Sequence, residues 1–400
     1  MKKIKVAIPL VKNSGWLGGY NYIVNLLEAL EQIPKPKIEI LIFTSKEIKN
    51  QLSTKFPKFK FIDISVFTGI GFLYGFTRFI GKYFGSYIFH ELFLRFFGIS
   101  VLAYSSPLSR MNLVATICWI PDFQHIYLEE FFSKGEICKR NKLFKKYIYN
   151  STVTLVSSNS AKNDLKKFSP RNIGNARVLK FVSCQSLMSK ILSFAEIKQK
   201  YDLPNLYFHL PNQFWQHKNH KLVAKSVASL NKRNIRINII CTGKTYDYRN
   251  PKFFDEFLIF LKKLNVYDQF RILGVIPYEE MISLMYYSTA VINPSFFEGW
   301  STTVEESKTL NKKILLSKIP VHIEQNPNKG KYFSSFSYIE LADEMEKCLK
   351  NHSNEIAQPR DESLFTNNKI RISDFANKFE DIVLEAENLK HQRSIFSFFL

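Results

Sequence analysis

The chain has 400 residues, which is too long for one ordinary hydrophobic core and fits two domains of roughly 150 to 200 residues each. Hydrophobic residues make up 46% of the sequence, and it contains only 15 Gly and 15 Pro, so the composition excludes a disordered or collagen-like chain. The net charge of +21 indicates an anionic partner, such as nucleic acid, a phospholipid surface or a phosphorylated substrate.

The positive charge is concentrated in the first half of the chain. Residues 1–200 carry 30 basic and 12 acidic side chains, whereas residues 201–400 carry 26 and 23. A nucleic-acid-binding protein would use such an excess, but the sequence has no aromatic K/R-G-F-G-F strand of the kind found in RNA-binding domains. The distribution therefore favours a basic surface on one domain, facing an anionic membrane or a phosphate-linked acceptor.

The cysteines are odd in number and widely scattered, without a C-x-x-C pair. This pattern predicts neither a disulfide framework nor a zinc site, and it fits a reducing cytoplasm. They are Cys118, Cys138, Cys184, Cys241 and Cys348.

The first half of the chain begins with a predicted strand at residues 3–10, because its apolar run is too short for a signal peptide. The longest apolar region, residues 64–100, is interrupted by charges such as Arg78 and Glu91. Its longest uncharged run is shorter than the about 18 residues of a spanning helix, so we expect no membrane crossing. Further strands are predicted at residues 38–43, 59–64, 113–118, 153–157 and 177–181.

In the second half, short β-rich runs alternate with amphipathic helical segments, which indicates a parallel sheet covered on both faces. A linking helix is predicted at residues 186–201. The predicted strands lie at 206–210, 235–241, 270–273, 290–293 and 313–317, and the predicted helices at 219–230, 253–264, 278–287 and 302–310.

The pattern predicts an α/β protein with two Rossmann-like, doubly wound domains that face each other across a cleft. We expect the first domain at residues 1–190 and the second at 191–370. Residues 371–400 are expected to form a helix that packs back toward the first domain, because apolar residues follow one helical stripe. These residues are Phe375, Phe379, Ile382, Val383, Ala386 and Leu389.

The most informative stretch, residues 293–307, runs from a strand end through a glycine turn into a helix. Free backbone amides at such a helix start bind phosphate, because they are unpaired donors in a region of partial positive charge. Glu298 and Glu306 would both point into the cleft and accept hydroxyl protons. Alternatively, the acidic residues only complement the helix dipole. Glu305 suits this structural role, because Thr302 and Glu305 have the T-x-x-E spacing of a capping box. The predicted amides belong to Gly299, Trp300 and Ser301.

A second loop, residues 211–220, follows the first strand of the second domain and opens a helix, which again suits a phosphate. Lys218 lies in this loop and is either a ligand or a solvated lysine. Near the N-terminus, Gly18 and Gly19 follow the first strand, where glycine permits either close approach to a ligand or a tight turn.

Asp122 and His125 follow the strand at 113–118, so both lie at a carboxyl end and are candidates for substrate contact. A structural histidine is the alternative for His125. Residues 71–97 interleave many aromatic side chains with Arg78, Lys82 and Arg95. This segment is either ordinary core or a surface that lies on anionic lipid.

Residues 293–307 resemble the signature of the retaining glycosyltransferases of family 4, also called glycosyl transferases group 1, which have the two-domain GT-B fold. In this signature a Glu-x7-Glu pair follows a Pro-Ser at a strand end, as Glu298 and Glu306 do here. The resemblance extends to residues 273–277 and 315–325, and it covers the first domain more loosely.

The resemblance implies that the first domain binds an acceptor and the second a nucleotide-sugar. It assigns the transferred sugar to Glu298, the nucleotide ribose to Glu306 and the leaving diphosphate to Lys218. The Arg that family members pair with this lysine is replaced, since Asn212 or Gln213 stands near its position. The resemblance also places Gly18 and Gly19 along the cleft opposite the donor. It retains Asp122 but puts Pro121 where many relatives have a His, and we expect His125 to take the role of that His as a sugar contact.

The resulting hypothesis is transfer of a hexose, preferably mannose-like, to a saccharide or lipid-linked acceptor in cell-surface polysaccharide or lipopolysaccharide assembly. We expect a cytoplasmic enzyme, peripheral to the inner face of the membrane, that uses no metal because a D-x-D-type acidic pair and a His/Cys cluster are absent from the sequence. The alternatives are a basic nucleic-acid-binding protein and an epimerase or phosphorylase-like enzyme on the same scaffold. A nucleic-acid-binding protein would leave Glu298 and Glu306 unexplained.

Overall fold

A computed structural model describes residues 3–11, 17–63, 88–105, 113–184, 191–351 and 362–396. The chain divides into two compact units. The N-terminal unit comprises Met1–Phe123, Cys138–Phe181 and Arg371–Leu400, and the C-terminal unit comprises Gln124–Ile137 and Val182–Ile370. The short segment Gln124–Ile137 therefore groups with the C-terminal unit, although it lies far before residue 190 in the chain.

The N-terminal unit is built on a seven-stranded parallel sheet with the order β3-β2-β1-β4-β5-β6-β7. Its central strands are buried along almost their whole length, as expected for a parallel sheet with both faces covered. The strands are β1 Ile4–Leu10, β2 Ile38–Thr44, β3 Lys60–Asp63, β4 Val101–Ala103, β5 Ala115–Ile120, β6 Val153–Val156 and β7 Ala176–Val178.

The C-terminal unit holds a six-stranded parallel sheet with the order β10-β9-β8-β11-β12-β13. Its first strand, β8, lies between β9 and β11, with Phe208 opposite Ile239 on one side and Ala290 on the other. The strand order reverses there, and in open α/β sheets ligands bind beside the carboxyl ends of the strands at such a point. The strands are β8 Phe208–Leu210, β9 Ile239–Cys241, β10 Phe270–Ile272, β11 Ala290–Asn293, β12 Ile314–Ser317 and β13 Gly330–Phe333.

Helices connect most of the strands. None of the helices in the described residues is long and apolar enough to cross a membrane. In chain order they are α1 Leu17–Glu31, α2 Lys46–Leu52, α3 Ile88–Phe96, α4 Gln124–Tyr127, α5 Lys134–Asn150, α6 Asn159–Phe168, α7 Phe194–Tyr201, α8 His220–Asn231, α9 Phe253–Lys263, α10 Tyr278–Tyr287, α11 Thr302–Thr309, α12 Pro320–Gln325, α13 Tyr338–Lys350 and α14 Glu362–Phe396.

The last helix, α14, completes the core of the N-terminal unit. Phe379 is fully buried and its ring stacks on that of Tyr104, with centroids 5.9 Å apart. Arg177 donates from Nε to Glu385 at 2.8 Å, which links the helix to β7. The apolar stripe along α14 is therefore covered by residues of this unit.

These two sheets confirm the predicted α/β fold class with two doubly wound domains. The predicted segments at residues 278–287 and 290–293 coincide with α10 and β11. The sequence analysis did not anticipate β4, β13, α12 or α13. Most of the aromatic segment 71–97 lies outside the described residues, so the structure describes only its end, in α3.

Candidate functional site

The site in the C-terminal unit is built from the two loops that leave β8 and β11 at the reversal of strand order. Hydrogen bonds hold these loops together: the Phe296 amide donates to the His217 carbonyl at 2.9 Å. Asn219 adopts a left-handed φ of 58° and donates from its side chain to the Pro294 carbonyl at 3.1 Å. An asparagine tolerates this backbone conformation better than most residues, so Asn219 can end the short Gln216–Lys218 helix. Its side chain at the same time binds the loop after β11.

Lys218 and Glu298 meet at the centre of these loops. Lys218 Nζ lies 2.6 Å from Glu298 Oε1, and the two side chains are only 16% and 10% exposed. The Ser295 hydroxyl donates to the same carboxylate at 2.7 Å. Burial by itself would raise the pKa of Glu298, but Lys218, His322 and Ser295 together lower it below its usual value. Glu298 is therefore an ionised carboxylate at neutral pH and can accept a hydrogen bond from a sugar hydroxyl.

His322, on α12, completes this group from the next loop. Its Nδ1 lies 2.9 Å from the Ser317 carbonyl, so that nitrogen carries the proton and donates. Burial lowers the pKa of His322 to about 4, against the opposing effect of Glu298, and the ring is neutral at physiological pH. Its other nitrogen, Nε2, is buried without a hydrogen-bond partner.

The start of α11 differs from the sequence prediction. Ser301 is the N-cap, and its hydroxyl accepts from the Val304 amide at 3.4 Å, so the cap is not the predicted Thr302. The Ser301 amide is not free either, because it donates to Gln325 Oε1 at 3.1 Å, and Gln325 Nε2 returns a hydrogen bond to the Ser301 carbonyl at 2.9 Å. The prediction of a phosphate-binding amide at Ser301 is therefore wrong, while Gly299 and Trp300 are half-buried in the turn before it.

Glu306 lies in the second turn of α11, in a different environment from Glu298. Its carboxylate is 8% exposed and accepts a hydrogen bond from the Tyr278 hydroxyl at 2.8 Å. Burial raises the pKa of Glu306 to about 7, although the Tyr278 hydrogen bond acts in the opposite direction. The carboxyl is thus close to half-protonated at neutral pH.

Gln213 occupies the position near which the sequence resemblance expects an Arg. Its side-chain Oε1 is buried without a hydrogen-bond partner. The backbone here packs against Gly243, whose φ is +131°, and a Cβ at that glycine would lie 2.7 Å from the Asn212 carbonyl oxygen. Only glycine permits this approach of the loops after β8 and β9.

A buried arginine, Arg249, lies near this loop. Its side chain is 6% exposed, pairs with Asp247 and approaches His217 Nδ1 at 3.2 Å. Its guanidinium also lies over the rings of Trp215 and Phe132, at 5.2 and 5.1 Å from their centroids. Arg249 was not predicted to have a role, because it lies in a loop without a recognisable motif.

His125 is completely buried on α4, and its ring meets Phe132 edge-on with centroids 6.4 Å apart. A fully covered ring fits the structural alternative, and the sugar contact at His125 stays a prediction. Asp122 is half-buried at the end of the N-terminal unit's β5. Gly18 and Gly19 lie inside the first turn of α1 rather than in a loop, Gly18 exposed and Gly19 buried.

The structure thus brings Lys218 and Glu298 into direct contact, and it places Glu306 on the helix that follows. Tyr278, Ser295, His322 and Gln325 were within or next to the quoted motifs, but their roles depend on side-chain contacts that spacing does not reveal. Within the described residues, no group of three or more His, Cys, Asp or Glu side chains is arranged to hold a metal ion.

Residues 194–363 match the family described as "Glycosyl transferases group 1". No curated protein sequence matches the chain.

Solved structures resemble the whole chain in fold at low sequence identity. Sucrose-phosphate synthase of Thermosynechococcus elongatus has a TM-score of 0.65 and 14% identity, over 99% of this chain and 100% of that one. HepE of Anabaena, solved with UDP and glucose, has a TM-score of 0.61 and 13% identity, over 99% and 100%. WaaG, a glycosyltransferase involved in lipopolysaccharide biosynthesis, has a TM-score of 0.59 and 12% identity, over 96% and 99%.

Proposed function

Since the chain belongs to the glycosyl transferases group 1 family and is a glycosyltransferase, we propose that it transfers a hexose, with retention, from a nucleotide-diphosphate sugar to a saccharide or lipid-linked acceptor. The observation that carries this proposal is the buried Lys218–Glu298 pair at the reversal of strand order. The pair combines a cation for a leaving diphosphate with an ionised carboxylate for sugar hydroxyls.

In this proposal Lys218 keeps one of its three N–H donors on Glu298 and offers the others to the diphosphate. The developing negative charge on the leaving group is then stabilised by a fixed, largely buried cation. The half-buried turn at Gly299 and Trp300 lies at the start of α11, where the helix dipole also favours an anion. Gln213, with its buried Oε1, is a further contact for the donor.

Glu306 is proposed to bind the hydroxyls of the nucleotide ribose. Hydroxyl donors stabilise the ionised carboxylate, so ribose binding should lower the raised pKa of Glu306 and release a proton near pH 7. Calorimetric titration of UDP in buffers with different ionisation enthalpies would measure this release.

The identity of the donor sugar and the biosynthetic pathway are further parts of the proposal. We favour a mannose-like hexose, while the structure of the HepE neighbour contains UDP and glucose, so both kinds of donor should be tested. The WaaG neighbour acts in lipopolysaccharide biosynthesis, which supports a role in assembling cell-surface polysaccharide or lipopolysaccharide. The basic excess in residues 1–200 supports a peripheral position on the cytoplasmic face of a membrane.

A thermal-shift panel with UDP-glucose, GDP-mannose, ADP-glucose and dTDP-glucose tests the proposal. We expect one or two of these to stabilise the wild type, and Glu306→Ala to lose most of that stabilisation. The matched control is Glu279→Gln, which alters an exposed carboxylate on α10 and should respond as the wild type does. The absence of stabilisation by any of the four donors would contradict the proposal.

A further inference from the structure

A cavity of about 570 Å³ opens in the C-terminal unit between residues 130–136 and residues 247–250. Gln216 also lines it, two residues before Lys218 in the same short helix. We propose that this cavity binds the saccharide of the acceptor and selects a neutral or amino sugar over an acidic one. The inference rests on the proposed transfer reaction and adds the site and the charge class of its second substrate.

The cavity lies next to the proposed donor site along the chain and through contacts. The His217 carbonyl, one residue from Gln216, accepts from the Phe296 amide in the loop that holds Glu298. The Tyr127 ring stacks on Phe297 in that same loop, with centroids 5.4 Å apart. An acceptor hydroxyl must approach the sugar carbon that Glu298 attends, so a cavity beside this loop is suitably placed.

Among the described residues that line the cavity, Arg249 is the one cation, and its charge is already neutralised. Arg249 pairs with Asp247, which is 2% exposed, and donates to Gln124 Oε1 at 3.2 Å. Its guanidinium is further fixed over the Trp215 and Phe132 rings. This arginine therefore forms a rigid wall rather than a free partner for an incoming carboxylate or phosphate.

The remaining charges in the cavity wall are negative. Glu130, Glu136 and Asp247 line it against the single Arg249, so the wall carries a net negative charge. Glu136 also accepts from Ser133 at the start of α5, which fixes its carboxylate. Like charges would repel a uronic acid or a sugar phosphate, whereas hydroxyl or ammonium groups would find acceptors.

The uncharged lining suits a sugar ring. Tyr248 lines the cavity and is 55% exposed, and the Arg249 guanidinium lies 5.7 Å from its ring centroid. An exposed aromatic ring in the wall can stack on the apolar C–H face of a pyranose. Asn250 donates to Gln216 Oε1 at 3.3 Å, so two amides present further polar groups at one edge. An aromatic surface with a few fixed polar groups is the usual composition of a small-molecule site.

Saturation-transfer-difference NMR on the full-length protein, with UDP filling the donor site, tests the inference. The probes are the methyl glycosides of glucose, galactose, mannose and glucosamine, and methyl glucuronide and galacturonide. We expect a saturation-transfer signal, which reports binding, from at least one neutral or amino glycoside, and a weaker signal from both uronides. Tyr248→Ala should weaken the best glycoside by about fivefold, in line with the energy of an aromatic contact. Glu130→Gln removes a negative charge from the wall and should therefore strengthen the saturation-transfer signal of the uronides.

The matched control is Tyr267→Ala, which removes a ring that is 48% exposed and does not line the cavity. Binding should be unchanged in this variant. Three results would each overturn the inference. The best glycoside could bind Tyr248→Ala and wild type equally, the uronides could bind as tightly as their neutral partners, or no probe could give a saturation-transfer signal. Stabilisation by nucleotide-sugar is measured separately on every variant, so a protein that binds donor but no glycoside overturns this inference alone, whereas failure to bind any donor overturns the proposed reaction.

Discussion

Glu298 and Glu306 lie eight positions apart on one loop and helix, are similarly buried, and yet titrate in opposite directions. Lys218 and Ser295 hold the pKa of Glu298 below its usual value despite burial. Glu306 has the neutral Tyr278 hydroxyl as its hydrogen-bond partner among the described residues, so burial dominates and raises its pKa to about 7. The comparison teaches that the cation at Lys218, rather than burial itself, decides which carboxyl is ionised.

The two groups therefore affect folding in opposite pH ranges. Glu298, with a lowered pKa in the folded state, contributes stability that is present above its unfolded pKa and is lost as the pH falls through its folded value. Glu306, with a raised pKa, contributes stability that is present below its unfolded pKa and is lost as the pH rises through about 7.

The largest effect is expected from Glu298→Gln, which removes the negative charge and keeps the shape. If the carboxylate orients and stabilises the transferred sugar, release of nucleotide from the preferred donor should slow by about 100- to 1,000-fold, as for loss of one fixed electrostatic contact. Glu279→Gln on α10 is the control and should retain the wild-type rate. A Glu298→Gln enzyme within tenfold of wild type would contradict the role assigned to Glu298.

The ion pair itself is the next target, through a double-mutant cycle of Lys218→Met and Glu298→Gln. Each single variant leaves one buried group without its partner and should lower the free energy of unfolding by about 3 to 5 kcal/mol. The double variant should lose less than the sum, which urea denaturation would measure.

The control for this cycle is the exposed pair Arg236–Asp268, in the same unit, with side chains 68% and 63% exposed. Arg236→Met and Asp268→Asn should show a coupling of at most about 1 kcal/mol, because exposed pairs are screened by water. Equal coupling in the two cycles would show that burial does not strengthen the Lys218–Glu298 pair.

Glu306→Gln should change the pH dependence of stability. Wild type should lose stability between pH 4.5 and about 7, where the unfolded carboxyl is ionised and the folded one is protonated. The variant lacks this loss, so its stability relative to wild type should improve by at most about 3 kcal/mol over that range, at 1.36 kcal/mol per pKa unit. Denaturation at four pH values without nucleotide would measure the slope, and parallel curves for variant and wild type would refute the raised pKa.

Much of the fold was accessible from the sequence, because regular alternation of apolar strands and amphipathic helices reports directly on a parallel sheet. Strand β11 and helix α10 were predicted to the residue. Strand β4, Val101–Ala103, was missed although strands of the same length, such as β8, were predicted. Its place between β1 and β5 is set by tertiary pairing, which no local window contains.

Only those parts of the site that belong to recognisable motifs could be predicted from the sequence. Spacing and the family resemblance identified Lys218, Glu298 and Glu306, but not that the first two share a hydrogen bond of 2.6 Å. The Ser301 amide was expected to be free because Gln325, which occupies it, lies 24 residues away. Long-range side-chain pairing of this kind has no signature in a single sequence.

Tyr278→Phe sharpens the comparison with the smallest expected change. The Tyr278 hydroxyl is the hydrogen bond that opposes the effect of burial on Glu306, so its loss should raise the Glu306 pKa further. The free energy of unfolding should fall by about 1 kcal/mol, the usual net value of one hydrogen bond, and the loss should grow above pH 7 where an ionised Glu306 needs the donor most. Carbon-13 NMR of labelled glutamate carboxyls, assigned with Glu306→Gln and Glu298→Gln, would follow both groups in one titration. Glu298 should keep its lowered pKa, because its partners are Lys218 and Ser295. An unchanged Glu306 titration, or an equal shift of both carboxyls, would mean that the neutral hydroxyl does not distinguish the two sites.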